Sequence, residues 1–184
     1  MDDGTSLPAP AETLRLERFT PQHLHAVCRL LEDPRVAEAH LGRPWPREHI
    51  EAHIRQHWCE QTDARTTHHL AFVQRHQAPC FIGAVSVAHD PARAEPGDRT
   101  LSYFVDPAWW GQGLATAMLR QACQKAFGAD DVWQLTAWIY RDNMASVRVA
   151  EKAGLWFAGL VYPPRTGTID ARAMLRYVLR RPCT

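Results

Sequence analysis

The chain has 184 residues, of which 46% are hydrophobic and 22% charged, and its formal net charge is +1. These values are ordinary for a soluble globular protein, and such a small charge gives no reason to expect nucleic acid or an anionic membrane as a partner. No apolar run approaches the ~20 residues that a membrane-spanning helix needs. The acidic N-terminal residues 1–10 also lack the basic-then-apolar pattern of a signal peptide.

Five cysteines are scattered along the chain without any Cys-x-x-Cys pair: Cys28, Cys59, Cys80, Cys123 and Cys183. An odd number of dispersed cysteines indicates neither a disulfide framework nor a zinc site. We therefore expect reduced thiols and a cytoplasmic protein.

The first part of the chain reads as a loose tail, a strand and a helix. Residues 1–11 contain prolines, a glycine and aspartates, so we expect a loose tail there and one domain over residues 12–184. Residues 14–19 alternate between apolar and polar side chains, which is typical of a half-buried strand. A helix then begins at Thr20-Pro21 and is predicted to stop near Asp33-Pro34.

A loop over residues 40–46 and a second helix over residues 47–61 are predicted next. His49, His53 and His57 recur every four residues on one face of that helix. Two such neighbours can chelate zinc, but the first and third lie about 12 Å apart along a helix, so three cannot share one ion. No Asp or Glu is spaced to complete the set. We therefore predict a partly exposed polar face and no metal site.

The remaining elements alternate strands with helices in one continuous pattern. Strands are predicted over 69–74, 80–88, 101–105, 133–140, 155–161 and 171–179, and helices over 114–127 and from about 143 to Gly154. The predicted fold class is α/β, a single domain with a mixed, mostly antiparallel seven-stranded sheet flanked by about four helices.

A turn with two glycines, Trp110-Gly-Gln-Gly113, joins the fourth strand to the third helix. A helix start presents free N–H groups together with the positive end of the helix dipole, and this combination binds phosphate. The turn lacks the Lys-Ser/Thr of one common phosphate loop and the third glycine of the dinucleotide-binding loop. By itself it is either a phosphate site or only a tight turn.

A second motif lies about thirty residues further on, as Asn143-x-x-Ser146 followed by Glu151-Lys-Ala-Gly154. Together with the turn, it resembles the GNAT superfamily of acyl-CoA-dependent N-acyltransferases. The residues of these motifs are most similar to those of the branch that acetylates the N-termini of ribosomal proteins, the RimJ/RimL type. The resemblance covers about residues 13–179, and the two motifs are specific only in combination.

The resemblance implies acetyl-CoA as co-substrate, without a metal, and places it along the central stretch. The backbone of Phe104 and Val105 would pair with the pantetheine arm. N–H groups after them would hold the pyrophosphate, and the residues concerned are Trp110, Gly111, Gln112, Gly113, Leu114, Ala115 and Thr116. Asn143 would reach the pantetheine, and Ser146 would lie near the thioester sulfur, both as binding and catalytic residues. Asn143 could equally be a helix N-cap, and Ser146 a small packing residue.

Two positions depart from the superfamily pattern. Ala150 stands where many members carry a tyrosine acid, and Thr100 stands where many carry an acidic residue before the central strand's aromatic. The resemblance implies direct transfer of acetyl to a primary amine, with a protein N-terminus as the preferred acceptor. A small-molecule acceptor such as a polyamine or antibiotic remains open, as does a non-catalytic CoA-binding module. A monomer and a homodimer are equally compatible with the sequence.

Overall fold

A seven-stranded sheet forms the centre of the protein in the computed structural model, which describes residues 14–75, 78–90, 95–162 and 172–182. The strand order is β1-β2-β3-β4-β5-β7-β6, and every neighbouring pair is antiparallel except β4 and β5. The strands are β1 Leu14–Arg18, β2 Thr67–Arg75, β3 Ala78–Ala88, β4 Asp98–Val105, β5 Gln134–Tyr140, β6 Trp156–Val161 and β7 Met174–Arg180. The predicted fold class is confirmed.

Five helices cover the two faces of this sheet: α1 Leu24–Leu31, α2 Pro34–Leu41, α3 Arg47–Ile54, α4 Leu114–Ala126 and α5 Met144–Ala153. The first three bury their apolar side chains in one core, and α4 and α5 bury theirs in a second core on the opposite face. Residues alternate between the faces of a strand. Phe104 therefore packs in the core under α1–α3, and Val105 packs in the core under α4 and α5.

Three helices, rather than the predicted two, lie between β1 and β2 in the described structure. The predicted loop over residues 40–46 is wrong at its start, because α2 extends through Leu41 and so includes His40. Asp33 caps α2 by accepting a hydrogen bond from the Arg35 backbone N–H at 2.9 Å, and Pro34 takes the first helical position. In the first turn of a helix the backbone N–H groups have no partner within the helix, so proline loses no hydrogen bond there. Asp33-Pro34 can therefore end α1 and also start α2.

The predicted second helix also ends earlier than residue 61. Its α-helical part, α3, stops at Ile54 and continues as a π turn over Arg55–Cys59. Ile50 and Ile54 are each 1% exposed, as their apolar spacing predicts. His53 and His57 bring their rings to 4.5 Å, but no three His, Cys, Asp or Glu side chains of the described residues form a ligand cluster.

Two sequence predictions concern parts of the chain beyond these ranges, the tail over residues 1–11 and Cys183. The other four cysteines are free thiols. None of the helices seen here is long and apolar enough to cross a membrane.

The parallel strands β4 and β5 separate halfway along their length. They pair only from Asp98 with Gln134 to Leu101 with Ala137, and beyond that point β4 stays with β3 while β5 stays with β7. In the paired part of the two strands, the buried Asp98 carboxylate accepts hydrogen bonds from Thr136 Oγ1 at 2.9 Å and from Gln134 Nε2 at 3.1 Å. The sheet therefore opens on one side only, between the last residues of β4 and β5.

We predict that Gly83→Ala destabilises the pairing of β3 with the end of β4 through a direct clash. An added Cβ at Gly83 would lie 2.2 Å from the backbone oxygen of Phe104 and 2.9 Å from the Cα of Val105. Gly159 is the matched control, because it lies in a strand at a similar φ and a Cβ there would meet nothing within 4 Å. Overpacking costs about 1–3 kcal/mol, so Gly83→Ala should lower the free energy of unfolding in urea by that amount. Equal stability of the two variants would contradict this prediction.

A buried histidine predicts that the protein loses stability in mild acid. His68 stacks on Trp58 at 4.4 Å, and its ring nitrogens bond Ser86 Oγ at 2.7 Å and the His57 carbonyl at 3.0 Å. Burial lowers the pKa of His68 from 6.5 to about 4, so between these pH values the unfolded chain takes up a proton that the folded protein resists. Stability is then retained above pH 6.5 and lost as the pH falls toward 4.

At about 1.36 kcal/mol per pKa unit, this histidine should cost about 2 kcal/mol between pH 7 and pH 4.5. Urea unfolding of the wild type and of His68→Gln at the two pH values measures this contribution, and the variant should lose about 2 kcal/mol less than the wild type. A His68→Gln protein with the same pH dependence as the wild type would contradict the assignment.

Candidate active site

A cavity of about 440 Å³ lies where the sheet opens, between the end of β4, the start of α4, and helices α2 and α5. Most of the residues that the sequence assigns to cofactor binding line it: Phe104, Val105, Trp110, Gly111, Gly113, Leu114, Ala115, Thr116, Asn143 and Ser146. The two motifs, thirty residues apart in the chain, therefore face the same space.

A second cavity of about 200 Å³ enters the same opening from the side of β5 and β7. Its walls come from both separating strands and include Thr100 and Ser102 of β4, Trp138 and Tyr140 of β5, and Met174 of β7. Five residues line both cavities: Ala39, His40, Tyr103, Asn143 and Ser146. These five residues mark the place where the two cavities meet.

The two glycines of the turn adopt left-handed backbone conformations, with φ of 76° at Gly111 and 77° at Gly113. A Cβ added at either position would meet no atom within 4 Å. Gly113 is the N-cap residue of α4 and has no side chain to accept from the first N–H groups of the helix. Those groups lie at the wall of the larger cavity, where an anion can bind them.

Trp110 and Gln112 have local roles in holding the turn. The indole N–H of Trp110 donates to the Val105 carbonyl at 2.8 Å, and the ring is 48% exposed beneath the Arg35 guanidinium. Gln112 donates its side-chain amide to the Ala108 carbonyl at 3.3 Å and is the one predicted binding residue that does not line the cavity. The carbonyl of Val105, predicted to face the pantetheine, thus already accepts a bond from Trp110.

Asn143 uses both ends of its amide to join two helices. Its Oδ1 accepts from the Ser146 backbone N–H at 3.0 Å, which makes it the N-cap of α5, and its Nδ2 donates to the Ala39 carbonyl of α2 at 3.1 Å. Ser146 lies in the first turn of α5, and its carbonyl accepts a bond from the Tyr103 hydroxyl at 3.1 Å. The N-cap interpretation of Asn143 is therefore realised, and the residue also fixes α2 against α5 at the junction of the cavities.

The sequence model of the acetyltransferase (GNAT) domain matches residues 13–155 of the chain. The chain belongs to the GNAT acetyltransferase family. Acetyl-CoA is accordingly its co-substrate, and N-acetyl transfer is its reaction class. No curated protein sequence matches the chain.

Solved acetyltransferase structures with different acceptors share this fold. An acetyltransferase from Salmonella typhimurium that modifies the N-terminal serine of a 50S ribosomal subunit protein is similar at a TM-score of 0.75 and 18% identity, over 95% of this chain and 99% of that one. AAC(6')-Ib in complex with ribostamycin and coenzyme A is similar at a TM-score of 0.74 and 18% identity, over 92% of this chain and 94% of that one. A spermidine N-acetyltransferase from Vibrio cholerae, in complex with CoA and spermine, is similar at a TM-score of 0.73 and 14% identity, over 92% of this chain and 96% of that one.

Four titratable residues that line the larger cavity of this GNAT protein were not found by sequence reasoning: His40, Tyr103, Arg148 and Lys152. Arg148 and Lys152 lie four residues apart on α5, so they share one face of the helix and offer two positive charges to the larger cavity. This four-residue spacing of two basic residues on a predicted helix is a signal that the sequence offers. His40 and Tyr103 have no such signal, because the sequence predicts a loop at His40 and only a strand at Tyr103.

Burial holds the two titratable side chains at the junction in their neutral forms. Desolvation raises the pKa of Tyr103 to about 12, so the phenol keeps the proton that it donates to Ser146. Desolvation, and secondarily the neighbouring His53, lower the pKa of His40 to about 4, although a hydrogen bond to the Tyr103 backbone opposes this. Ala150 stands where many family members carry a tyrosine acid, and its methyl group is fully buried between α5 and the sheet, so it has no proton to give.

Proposed function

We propose that this GNAT protein transfers the acetyl group of acetyl-CoA directly to the N-terminal α-amine of a peptide or protein. The observation that supports the proposal is the meeting of the two cavities at five shared residues. A thioester reaching the junction from the larger cavity and an amine reaching it from the smaller one would have their reacting atoms side by side. Such proximity replaces an encounter in solution by a reaction within one complex, without an acyl-enzyme intermediate.

The larger cavity suits the cofactor in both charge and shape. The start of α4 would take the pyrophosphate, and Arg148 and Lys152 would offer their positive charges to the remaining phosphate. The backbone of Phe104 and Val105 would run beside the pantetheine arm. Ser146, in the wall shared by both cavities, would then lie beside the thioester sulfur.

The smaller cavity favours an acceptor with a single amine over a polycation. Among the described residues that line it, none is acidic. Glu38 and Asp142, which precede the lining residues Ala39 and Asn143 in the chain, both accept from Arg172, at 3.2 Å and 3.0 Å. A polyamine or an aminoglycoside carries several ammonium groups and is held best by unneutralised carboxylates. We further propose a cytoplasmic location, which the four free thiols support.

The proposal is tested by measuring thiol release from acetyl-CoA with a short peptide whose N-terminus is free, and by locating the added acetyl group by mass spectrometry. The matched control is the same peptide with its N-terminus blocked. Spermidine and ribostamycin serve as competing acceptors. Faster transfer to either of them would refute the α-amine acceptor. Calorimetric binding of acetyl-CoA without thiol release for any amine would instead indicate a non-catalytic CoA-binding module.

A further inference from the structure

Among the described residues at the junction of the two cavities, one side chain carries a free lone pair at neutral pH. Of the five shared residues, only His40 and Tyr103 are titratable. The Tyr103 phenol holds its own proton and already donates it to the Ser146 carbonyl. His40 is neutral at this pH, and a neutral imidazole that donates through one nitrogen carries a lone pair on the other.

Its position in α2 and packing against β4 hold the His40 ring at this place. The ring packs against the Phe104 ring of β4 at 4.8 Å, beside the Tyr103 backbone. Its neighbour in α2, Ala39, accepts the side-chain bond of Asn143 from the start of α5. The imidazole is thereby positioned between the strand expected to carry the pantetheine and the helix that carries Ser146.

We propose that His40 is the proton shuttle of the transfer reaction, taking a proton from the attacking amine and returning it to the leaving thiolate. This inference rests on the proposed function and adds a residue that neither of the two sequence motifs contains. It also accounts for the missing tyrosine acid at Ala150, because one imidazole can serve as base and then as acid.

The step balances in atoms and charge. The neutral amine attacks the thioester carbonyl carbon, a C–N bond forms, and the carbonyl electron pair moves to oxygen. One N–H proton passes to the lone-pair nitrogen of His40. The electron pair on oxygen then forms the carbonyl double bond again, and the C–S bond breaks to release the CoA thiolate. The imidazolium then protonates the thiolate, which leaves an amide, a CoA thiol and a neutral His40.

The charges around His40 favour this return of the proton. With a pKa of about 4 the ring is a weak base, so it takes a proton only from the positively charged nitrogen that forms when the amine attacks. The same pKa lies far below the ~8.5 of a free thiol, so proton transfer from the imidazolium to the thiolate is downhill. The titratable groups facing it are His53 from α3, which burial and His57 keep neutral by lowering its pKa, and Tyr103 from β4. Arg148 and Lys152 line the larger cavity, where they would oppose a lasting positive charge on the ring.

The test compares His40→Gln and His40→Ala with a His49→Gln control, because His49 is exposed on α3 and lines neither cavity. Glutamine is polar but has no basic nitrogen, so kcat for an α-amine peptide should fall about 100-fold or more, within the range that acid–base groups contribute. The KM for acetyl-CoA should stay near the wild-type value, since no binding group is lost. His49→Gln should keep the wild-type kcat.

Added imidazole supplies the readout that a purely structural role would not change. It should restore part of the activity of His40→Ala, whose cavity leaves room for the ring, and should not accelerate the wild type. An active wild type with equally active His40 variants would overturn this inference alone. Slow His40 variants that imidazole cannot rescue would also overturn it, because they would indicate a packing role. A wild type that acetylates no amine would overturn the proposed function and this inference together.

Discussion

Acetyl-CoA affinity should fall at least about 100-fold when Gly113 is replaced by valine, a loss of about 2.8 kcal/mol at about 1.4 kcal/mol per factor of ten. Gly113 has φ of 77°, where a β-branched residue is strained, and it caps α4 without a side chain. Valine would therefore distort the first turn of α4. Its methyl groups would also enter the open space beside the helix start, where the pyrophosphate is proposed to lie.

Gly154→Val is the matched control for the backbone strain. Gly154 ends α5 at φ of 100° and lies outside both cavities, so its replacement should lower stability but leave acetyl-CoA affinity unchanged. Titration calorimetry with acetyl-CoA measures the first effect, and thermal unfolding measures the second. Unchanged affinity in a folded Gly113→Val protein would move the pyrophosphate site away from this turn.

An α-amine should be acetylated roughly 350 times more efficiently than a lysine side chain at pH 7. The attacking amine must be neutral, and an α-amine with a pKa near 7.8 is roughly 15% neutral there, against roughly 0.04% for a lysine near 10.4. None of the described residues that line the smaller cavity is acidic, so none of them offers a carboxylate to deprotonate an ammonium group. We therefore expect the proton to be lost largely before binding.

The comparison uses one peptide sequence in two forms, one with a free N-terminus and no lysine, the other with a blocked N-terminus and one lysine. The ratio of their kcat/KM values is measured at pH 7 and at pH 9. The advantage of the α-amine should shrink by about tenfold at the higher pH, because the neutral fraction of lysine rises about 100-fold while that of the α-amine is near saturation. A lysine peptide that is faster at pH 7, or a ratio that does not change with pH, would contradict the acceptor assignment.

Short-range patterns account for what could be read from the chain without its structure. The glycine turn, the start of α4 at Leu114, and α5 between Asn143 and Gly154 depend on backbone preferences and caps within a few residues. Such preferences act locally, so their positions were predictable. The same reasoning failed at Asp33-Pro34, because one dipeptide can end a helix and begin the next.

The amino-acid sequence by itself determined the family, the succession of the seven strands along the chain and the two motifs that face the larger cavity. Only the tertiary structure decided that β4 and β5 separate after Leu101 and that α2 brings His40 over Phe104 at the opening. Those features depend on contacts between residues far apart in the chain, such as the bond from Asn143 to Ala39, which no local pattern encodes. The proton-accepting group therefore became visible only once three separate elements had been packed around one junction.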